Sequence, residues 1–307
     1  MNKDVKILLK KGSLFIFPII AWMIIVVIVD PFNYFNFSEA ISRQTKRSSQ
    51  KLNPLLYNSI NFKNNPTNSV IIGDSRIRKL PNKRIQELTQ DTYYTLHSNA
   101  AKLNEIIDLF WFSTEHSKLK NVLIGINFNL YNKYAYANRV EDVRGMINNP
   151  LIYIFNYTIA KTVCLSIKNE LFGIPIQKKK DRDKFWNYSI NTIAKQQYSK
   201  YKHPNRMLKK LQKVSDYCEE NNITLTLLIV PSHMDFHDQL VKYNLIEEEK
   251  RFKSEMKEIA NVIDYDFPNT LTNCKSCFSD PIHTTDSIST IIVNEIFSDS
   301  LIIGKKL

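Results

Sequence analysis

The stretch Val70-Ile71-Ile72-Gly73-Asp74-Ser75-Arg76 is a short apolar run that ends in a turn carrying a serine. Short apolar runs of this kind are typical of buried parallel strands, and they alternate here with longer amphipathic stretches of helical periodicity. Such alternation predicts an α/β sandwich with a parallel sheet. The other predicted strands are 93–96, 122–128, 225–230 and 262–265, and the main predicted helices are 103–114, 150–171, 207–220, 246–260 and 286–297.

Ligands bind at the carboxyl edge of such a sheet, so the residues that directly follow each run are candidates for function. Ser75 follows the first run, and the third run ends in Gly125-Ile126-Asn127-Phe128. After the fifth run comes Asp280-Pro281-Ile282-His283, whose spacing lets a carboxylate reach one imidazole nitrogen while the other faces the cleft. The sequence therefore predicts a serine, a base and an orienting acid at one edge of the sheet.

These residue types suit nucleophilic catalysis. A serine hydroxyl is a poor nucleophile unless a base removes its proton during attack, and histidine has a pKa suited to that exchange near neutrality. An aspartate fixes the tautomer and stabilises the imidazolium. The tetrahedral oxyanion needs preorganised donors, each contributing about 3 kcal/mol.

The motifs and their order resemble the SGNH (GDSL-type) hydrolase and acyltransferase superfamily, over residues 68–130 and 206–300. The resemblance implies a three-layer, flavodoxin-like sandwich with Ser75 as nucleophile, His283 as general base and Asp280 as the residue that orients the imidazole. It also implies an oxyanion hole made by the Ser75 N–H, the Asn127 amide and a backbone N–H of Asn99 or Ala100.

Two blocks depart from the family pattern. The second reads His97-Ser98-Asn99-Ala100-Ala101 where the family has glycine, and alanine supplies the same N–H only if the backbone does not require positive φ. The third reads Asn127-Phe128 where the hydrolases often have Asn-Asp. This resembles the membrane-anchored, polysaccharide-modifying branch that acts in alginate-type or teichoic-acid acylation. The alternative for Asn127 is a turn-capping amide.

Two further residues are weaker candidates for substrate contact. Arg76 follows the nucleophile and could bind an acidic acceptor, or it could be a solvated helix residue. His233 follows the fourth strand and could contact substrate, or it could lie in a surface loop. No cofactor and no metal are expected. Cys274 and Cys277 could form a disulfide, a redox pair or half a zinc site, and no second such pair completes a metal site.

An uncharged stretch from Leu14 to Val29 extends over 12–32 and approaches the ~20 residues needed to cross a bilayer. Lysines precede it, and no Lys or Arg follows until Arg43. This pattern predicts an uncleaved, single-pass anchor in the cell membrane with residues 1–11 cytoplasmic and the body extracytoplasmic. The alternatives are a cleaved signal peptide and a buried core helix. The predicted organisation continues with a stalk (33–67), a catalytic domain (68–300) with an insertion (131–204), and a tail (301–307).

The net charge of +12 is concentrated in one segment. Residues 131–210 hold 16 Lys and Arg against 5 Asp and Glu, an excess of +11 that leaves +1 for the rest of the chain. The charge of this segment predicts that it binds phosphate or an acidic sugar. The alternative is a solvated loop. Nucleic acid is disfavoured because the predicted anchor places the segment outside the cytoplasm. The residues expected to bind such a ligand are Lys178, Lys179, Lys180, Phe185, Trp186, Tyr188, Tyr198 and Tyr201.

The sequence thus favours a membrane-anchored serine esterase or O-acyltransferase that acts on acyl esters, chiefly acetyl, of a cell-surface polysaccharide. Its expected partners are that polymer, the lipid bilayer and a membrane acyl-donor protein. The alternative is a catalytically inactive glycan-binding or assembly protein on the same scaffold.

Overall fold

The computed structural model describes residues 3–36, 39–176, 181–298 and 300–307 of the chain. The chain forms two compact units: unit 1 is Met1–Asn61 with Glu141–Lys178, and unit 2 is Phe62–Val140 with Lys179–Leu307. The predicted insertion 131–204 is therefore shared between the two. The lysine run 178–180 lies outside the described residues.

The described helices and strands agree with the predicted alternation, and the structure adds helices over 82–89 and 234–242 that the sequence analysis did not predict. The third strand ends at Gly125, before a 3₁₀ turn over Phe128–Leu130, and the helical stretches predicted over 150–171 are two helices, the second of which Asn156 caps. The helices are α1 (Lys3–Val29), α2 (Arg43–Gln50), α3 (Pro54–Asn64), α4 (Asn82–Thr89), α5 (Leu103–His116), α6 (Arg139–Asn148), α7 (Pro150–Ile154), α8 (Tyr157–Phe172), α9 (Arg182–Tyr188), α10 (Ala194–Tyr198), α11 (Asn205–Glu220), α12 (Met234–Lys242), α13 (Ile246–Ile259) and α14 (Asp286–Phe297). The strands are β1 (Ser69–Gly73), β2 (Tyr93–His97), β3 (Asn121–Gly125), β4 (Thr224–Ile229), β5 (Asn261–Asp264), β6 (Phe278–Asp280), β7 (His283–Thr284) and β8 (Lys305–Lys306).

Unit 2 is built on a mostly parallel sheet, as predicted. The strand order is β2-β1-β3-β4-β5-β8, and all neighbours pair in parallel except β8, which is antiparallel to β5. The side chains of β1 are buried on both faces of the sheet, which is why its sequence is a continuous apolar run. Helices α4 and α14 pack on one face, and α5, α11 and α13 cover the other.

The order of the strands determines where a site can form. From β1 the chain moves outward to β2 and then returns past β1 to β3, so the connections leave β1 and β3 in opposite directions. A crevice opens at the carboxyl ends of two such strands, and ligands of open α/β sheets bind there. The turns after β1 and β3, which carry Ser75 and Asn127, lie at this point.

Unit 1 is helical in its described part. Helix α1 packs against α7 and α8, and α2 packs against α8. The α2–α8 contact includes a hydrogen bond between the hydroxyls of Ser49 and Ser166 at 2.7 Å. The predicted membrane span over 12–32 is not confirmed: within the described part of the chain, no helix is both apolar enough and long enough to cross a bilayer.

Two glycines allow a close approach beneath the Ser75 turn. Ile77, in the 3₁₀ turn that follows Ser75, packs directly against Gly73 at the end of β1 and Gly125 at the end of β3. A Cβ atom at residue 73 would lie 2.9 Å from Ile77 Cγ1, and one at residue 125 would overlap with Ile77 Cγ2. Because both strand ends are glycine, the turn that follows Ser75 packs directly against the sheet.

We expect Gly125→Ala to lower the free energy of unfolding by about 1–3 kcal/mol, because the added methyl group displaces Ile77 from a fully packed position. Gly145→Ala in α6 is the control, since a Cβ there meets no atom within 4 Å, and helix propensity predicts a gain of about 0.5–1 kcal/mol. Urea denaturation followed by circular dichroism measures both. Equal stability of the Gly125→Ala variant and the unaltered chain would contradict the packing constraint.

Candidate active site

Ser75, His283 and Asp280 form a continuous hydrogen-bonded chain. Ser75 Oγ lies 2.7 Å from His283 Nε2. His283 Nδ1 lies 2.8 Å from each carboxylate oxygen of Asp280. The structure therefore brings together the three residues that the sequence proposed as nucleophile, base and orienting acid.

A two-stranded hairpin carries the acid and the base. Asp280 ends β6 and pairs with His283 at the start of the antiparallel strand β7, so the hairpin register sets the carboxylate beside the imidazole. Burial raises the pKa of Asp280, but the hydrogen bond and charge interaction with His283 outweigh burial, and the net pKa is lowered. An ionised Asp280 accepts the Nδ1–H, which leaves Nε2 free to accept the proton of Ser75.

An internal ion pair shapes the turn that presents Ser75. Arg76 Nε lies 3.0 Å from Asp74 Oδ2, and its Nη2 donates to Asn129 Oδ1 at 2.6 Å. Arg76 is buried, so neither a solvated helix residue nor an open substrate contact describes it. Its observed partners instead fix the residues on either side of Ser75.

The second block, residues 97–101, forms a tight turn beside the end of β1. Ser98 N–H donates to Gly73 O at 3.4 Å, which sets the turn against the end of β1, and Ala101 N–H closes it on Ser98 O at 3.4 Å. Ala100, in the third position of this turn, has φ +51°. A turn with positive φ at that position favours glycine, and Ala100 adopts it nonetheless, so the expectation that alanine would serve here only without positive φ is wrong. Asn99 has no positive φ.

The backbone N–H groups of Ser75 and Ala100 have no hydrogen-bond partner among the described residues. Ala100 is exposed, and Ser75 is partly so. Two donors on neighbouring turns can bind one oxygen atom if they converge, and both turns border the end of β1. This pair is the best candidate for an oxyanion hole.

Asn127 is occupied within the protein. Its Nδ2 donates to Val230 O at 2.6 Å and to Asp266 Oδ2 at 3.3 Å, which uses both amide hydrogens. Its side chain makes no helix-capping bond, so the turn-capping alternative is wrong. The amide joins the ends of β3, β4 and β5, and burial raises the pKa of its partner Asp266.

His233 supports the segment between the acid and the base. Its backbone N–H donates to Pro281 O at 2.8 Å, and its Nδ1 accepts from Asp235 N–H at 3.1 Å as the N-cap of α12. The side chain is buried, and burial lowers its pKa. The expected surface loop and the expected substrate contact therefore do not describe His233.

Helix α9 holds the strand that carries Asp280. Arg182 Nη2 donates to Lys275 O and Phe278 O, each at 3.0 Å. Trp186, one turn further along α9, donates its indole N–H to Asp235 Oδ2 at 2.8 Å. Sequence reasoning missed Arg182, because its partners are backbone carbonyls more than ninety residues away that carry no sequence signal.

A disulfide closes the loop just before β6. Cys274 and Cys277 are bonded, with their Cα atoms 5.3 Å apart, and Thr285 N–H donates to Cys277 O at 2.9 Å. The alternatives left open by the sequence are thereby resolved in favour of a disulfide. Among the residues that the structure describes, no group of three or more His, Cys, Asp and Glu is arranged to hold a metal ion.

The aromatic residues expected to bind an acidic ligand divide into two sets according to their burial. Trp186 and Tyr198 are buried and belong to the core, so for these two the expectation is wrong. Phe185 and Tyr201 are half-buried, and Tyr188 is exposed. The part of the basic insertion that belongs to unit 2 contributes packing and the Arg182 contact within that unit.

Comparison with known proteins finds similarity in three dimensions only. No protein-family model matches the chain, and no curated protein has a similar sequence. A candidate platelet activating factor from Streptococcus pneumonia has a TM-score of 0.44 and 11% identity, with 80% of this chain and 90% of that chain covered. A candidate acylhydrolase from Bacteroides fragilis NCTC 9343 has a TM-score of 0.35 and 10% identity, with 76% and 89% covered. Both TM-scores are below 0.5, so the site is interpreted from the geometry of this chain alone.

Replacing Ala100 with glycine tests the strained turn. Ala100→Gly should raise the free energy of unfolding by about 0.5–1 kcal/mol, because it removes the penalty of an alanine in the left-handed region. Ala101→Gly is the control: Ala101 is buried and has no positive φ, so the same change should destabilise by about 1 kcal/mol. Urea denaturation of the two variants checks the opposite signs. If both variants were less stable than the unaltered chain, the inference that the backbone is strained at Ala100 would be wrong.

Removing the Arg182 contact tests the support of β6. Arg182→Gln should slow labelling of Ser75 by a fluorophosphonate about tenfold, because Asp280 and His283 lose their fixed position. Lys184→Gln, on the same short helix, makes the same change of charge at an exposed position and is the control. Equal labelling rates for these two variants would show that the Arg182 contact does not position the hairpin.

Proposed function

We propose that unit 2 is a serine esterase or O-acyltransferase that works through an acyl ester on Ser75. The observation that carries this proposal is the unbroken chain of hydrogen bonds from Ser75 through His283 to Asp280, at the carboxyl edge of the sheet. Such a chain activates a hydroxyl for attack on an acyl carbon. The family resemblance of the three motifs supports the same chemistry.

Each residue has a defined part in the proposed reaction. As Ser75 Oγ attacks the acyl carbon, His283 Nε2 takes the hydroxyl proton and Asp280 stabilises the imidazolium. The tetrahedral intermediate places its negative oxygen toward the N–H groups of Ser75 and Ala100. When the intermediate collapses, His283 returns the proton to the departing alcohol and leaves an ester on Ser75. Water or a second alcohol then attacks that ester by the same steps, with His283 again as the base.

The proposed oxyanion hole has two donors rather than three. Asn127 would have to release Val230 O or Asp266 before its amide could turn toward substrate. In this proposal the amide of Asn127 aligns the strand ends, and the two backbone groups stabilise the oxyanion.

The substrate and the location are part of the proposal. We propose acyl esters, chiefly acetyl, of a cell-surface polysaccharide, with the catalytic unit anchored at the membrane and facing away from the cytoplasm near a membrane acyl-donor protein. Support comes from the Asn127-Phe128 departure, which resembles the polysaccharide-modifying branch, and from the uncharged stretch Leu14–Val29 with lysines before it.

Covalent trapping tests the mechanism. A fluorophosphonate should label Ser75, and Ser75→Ala and His283→Ala should each lose the label and roughly 10³-fold or more of the rate of p-nitrophenyl acetate hydrolysis. Ser199→Ala, at an exposed serine that makes none of the triad's hydrogen bonds, is the control and should retain both.

Two further results complete the test. Full hydrolysis by Ser75→Ala would overturn the serine mechanism, and an unlabelled, inactive but folded chain would favour the binding-protein alternative. Adding an acceptor glycan then separates transfer from hydrolysis, because transfer gives an acylated glycan at the expense of free acid.

A further inference from the structure

Helix α1 exposes a large apolar surface. From Phe15 onward its exposed side chains are mainly isoleucine and phenylalanine, and Phe15 is 79% exposed. The side chains lie in a stretch of sixteen residues, Leu14–Val29, that contains no charge. Contiguous apolar surface of this kind marks a site of contact with another apolar phase.

A second uncharged stretch of the same length lies in the part of unit 1 that is distant in sequence from α1. Residues 145–160 contain no charged side chain. They form the end of α6, all of α7 and the start of α8, and they leave Leu151 55% and Tyr157 79% exposed. The far end of α8 exposes Leu171 and Phe172 in the same way.

The two stretches pack together within unit 1. Trp22, in the middle of the uncharged part of α1, donates its indole N–H to Ile154 O at 3.1 Å. This contact sets the end of α7 beside the centre of the α1 stretch. Leu151 and Phe155, three residues before and one residue after Ile154, are exposed, so α7 adds exposed apolar side chains where it contacts α1.

We propose that α7 and the adjoining start of α8 lie against the acyl chains of a lipid bilayer, together with the apolar face of α1. An acyl-chain environment requires polar groups to be satisfied inside the protein. The structure meets this requirement at Trp22 and at two helix starts: Asn149 Oδ1 accepts the N–H groups of Leu151 and Ile152, and Asn156 Oδ1 accepts that of Thr158.

A bilayer fits this surface better than a second copy of the chain. Helices that associate within membranes approach through glycine, alanine and serine, whereas the exposed residues here are long aliphatic and aromatic side chains. The charges next to the second stretch are basic, Arg144 before it and Lys161 after it, and basic side chains are attracted to anionic headgroups. The inference concerns the insertion helices; it rests on the proposed membrane location and not on the chemistry of Ser75.

Site-specific labelling tests the proposal. The full chain with Ile152→Cys, in a Cys164→Ser background, is labelled with nitrobenzoxadiazole and reconstituted in phosphatidylcholine–phosphatidylglycerol vesicles. The only other free cysteine in the described part of the chain, Cys218, is buried. We expect a blue-shifted emission and its loss when lipids with nitroxide on the acyl chain are included.

Two comparisons make the result decisive. The label at Glu219→Cys, an exposed position on α11 of unit 2, should keep water-like emission and full intensity. A second probe at Tyr157→Cys, at the start of α8, repeats the test if Ile152→Cys does not fold. Unquenched emission at the folded probe site would overturn the proposal, and energy transfer between labelled copies with no quenching would instead show that a second copy covers the face.

Discussion

The hydrogen bond between His283 and Asp280 is the interaction on which the chemistry proposed for unit 2 depends. It fixes the tautomer of the imidazole, and the tautomer decides whether Nε2 can take a proton from Ser75. The carboxylate remains charged because its interactions with His283 outweigh the cost of its burial. Everything that holds the β6–β7 hairpin in place therefore acts on this one contact.

Three elements from different parts of the chain hold that hairpin. Arg182 of α9 binds two carbonyls at and before β6, His233 of α12 binds the carbonyl of Pro281, and a disulfide closes the preceding loop. These contacts use backbone carbonyls and a covalent bond rather than matched side chains. The hairpin itself has only five residues in strands, so it gains its fixed position from its neighbours.

The position of the turn that carries Ser75 depends on a different constraint, which is close packing. Gly73 and Gly125 let Ile77 sit against the sheet, and the buried Asp74–Arg76 pair fixes the turn around Ser75. At Ala100 the same edge of the sheet adopts a glycine-like conformation without glycine. The chain therefore keeps the backbone geometry of the second block while tolerating strain of about 1–2 kcal/mol.

The sequence by itself predicted the parallel sheet, the order of its strands along the chain and the grouping of Ser75, His283 and Asp280, because apolar periodicity and short-range spacing are local properties. Only the tertiary structure decided the roles of Arg76, Asn127, His233 and Arg182. Each of these residues could serve a ligand or an internal partner, and the choice depends on what folding brings near it. The side chains of Arg76, Asn127 and Arg182 bond oxygen atoms distant in sequence, and the backbone N–H of His233 bonds Pro281 O. The grouping of 141–178 with the N-terminal helices was likewise beyond the sequence, since the contact of Trp22 with Ile154 joins residues 132 positions apart.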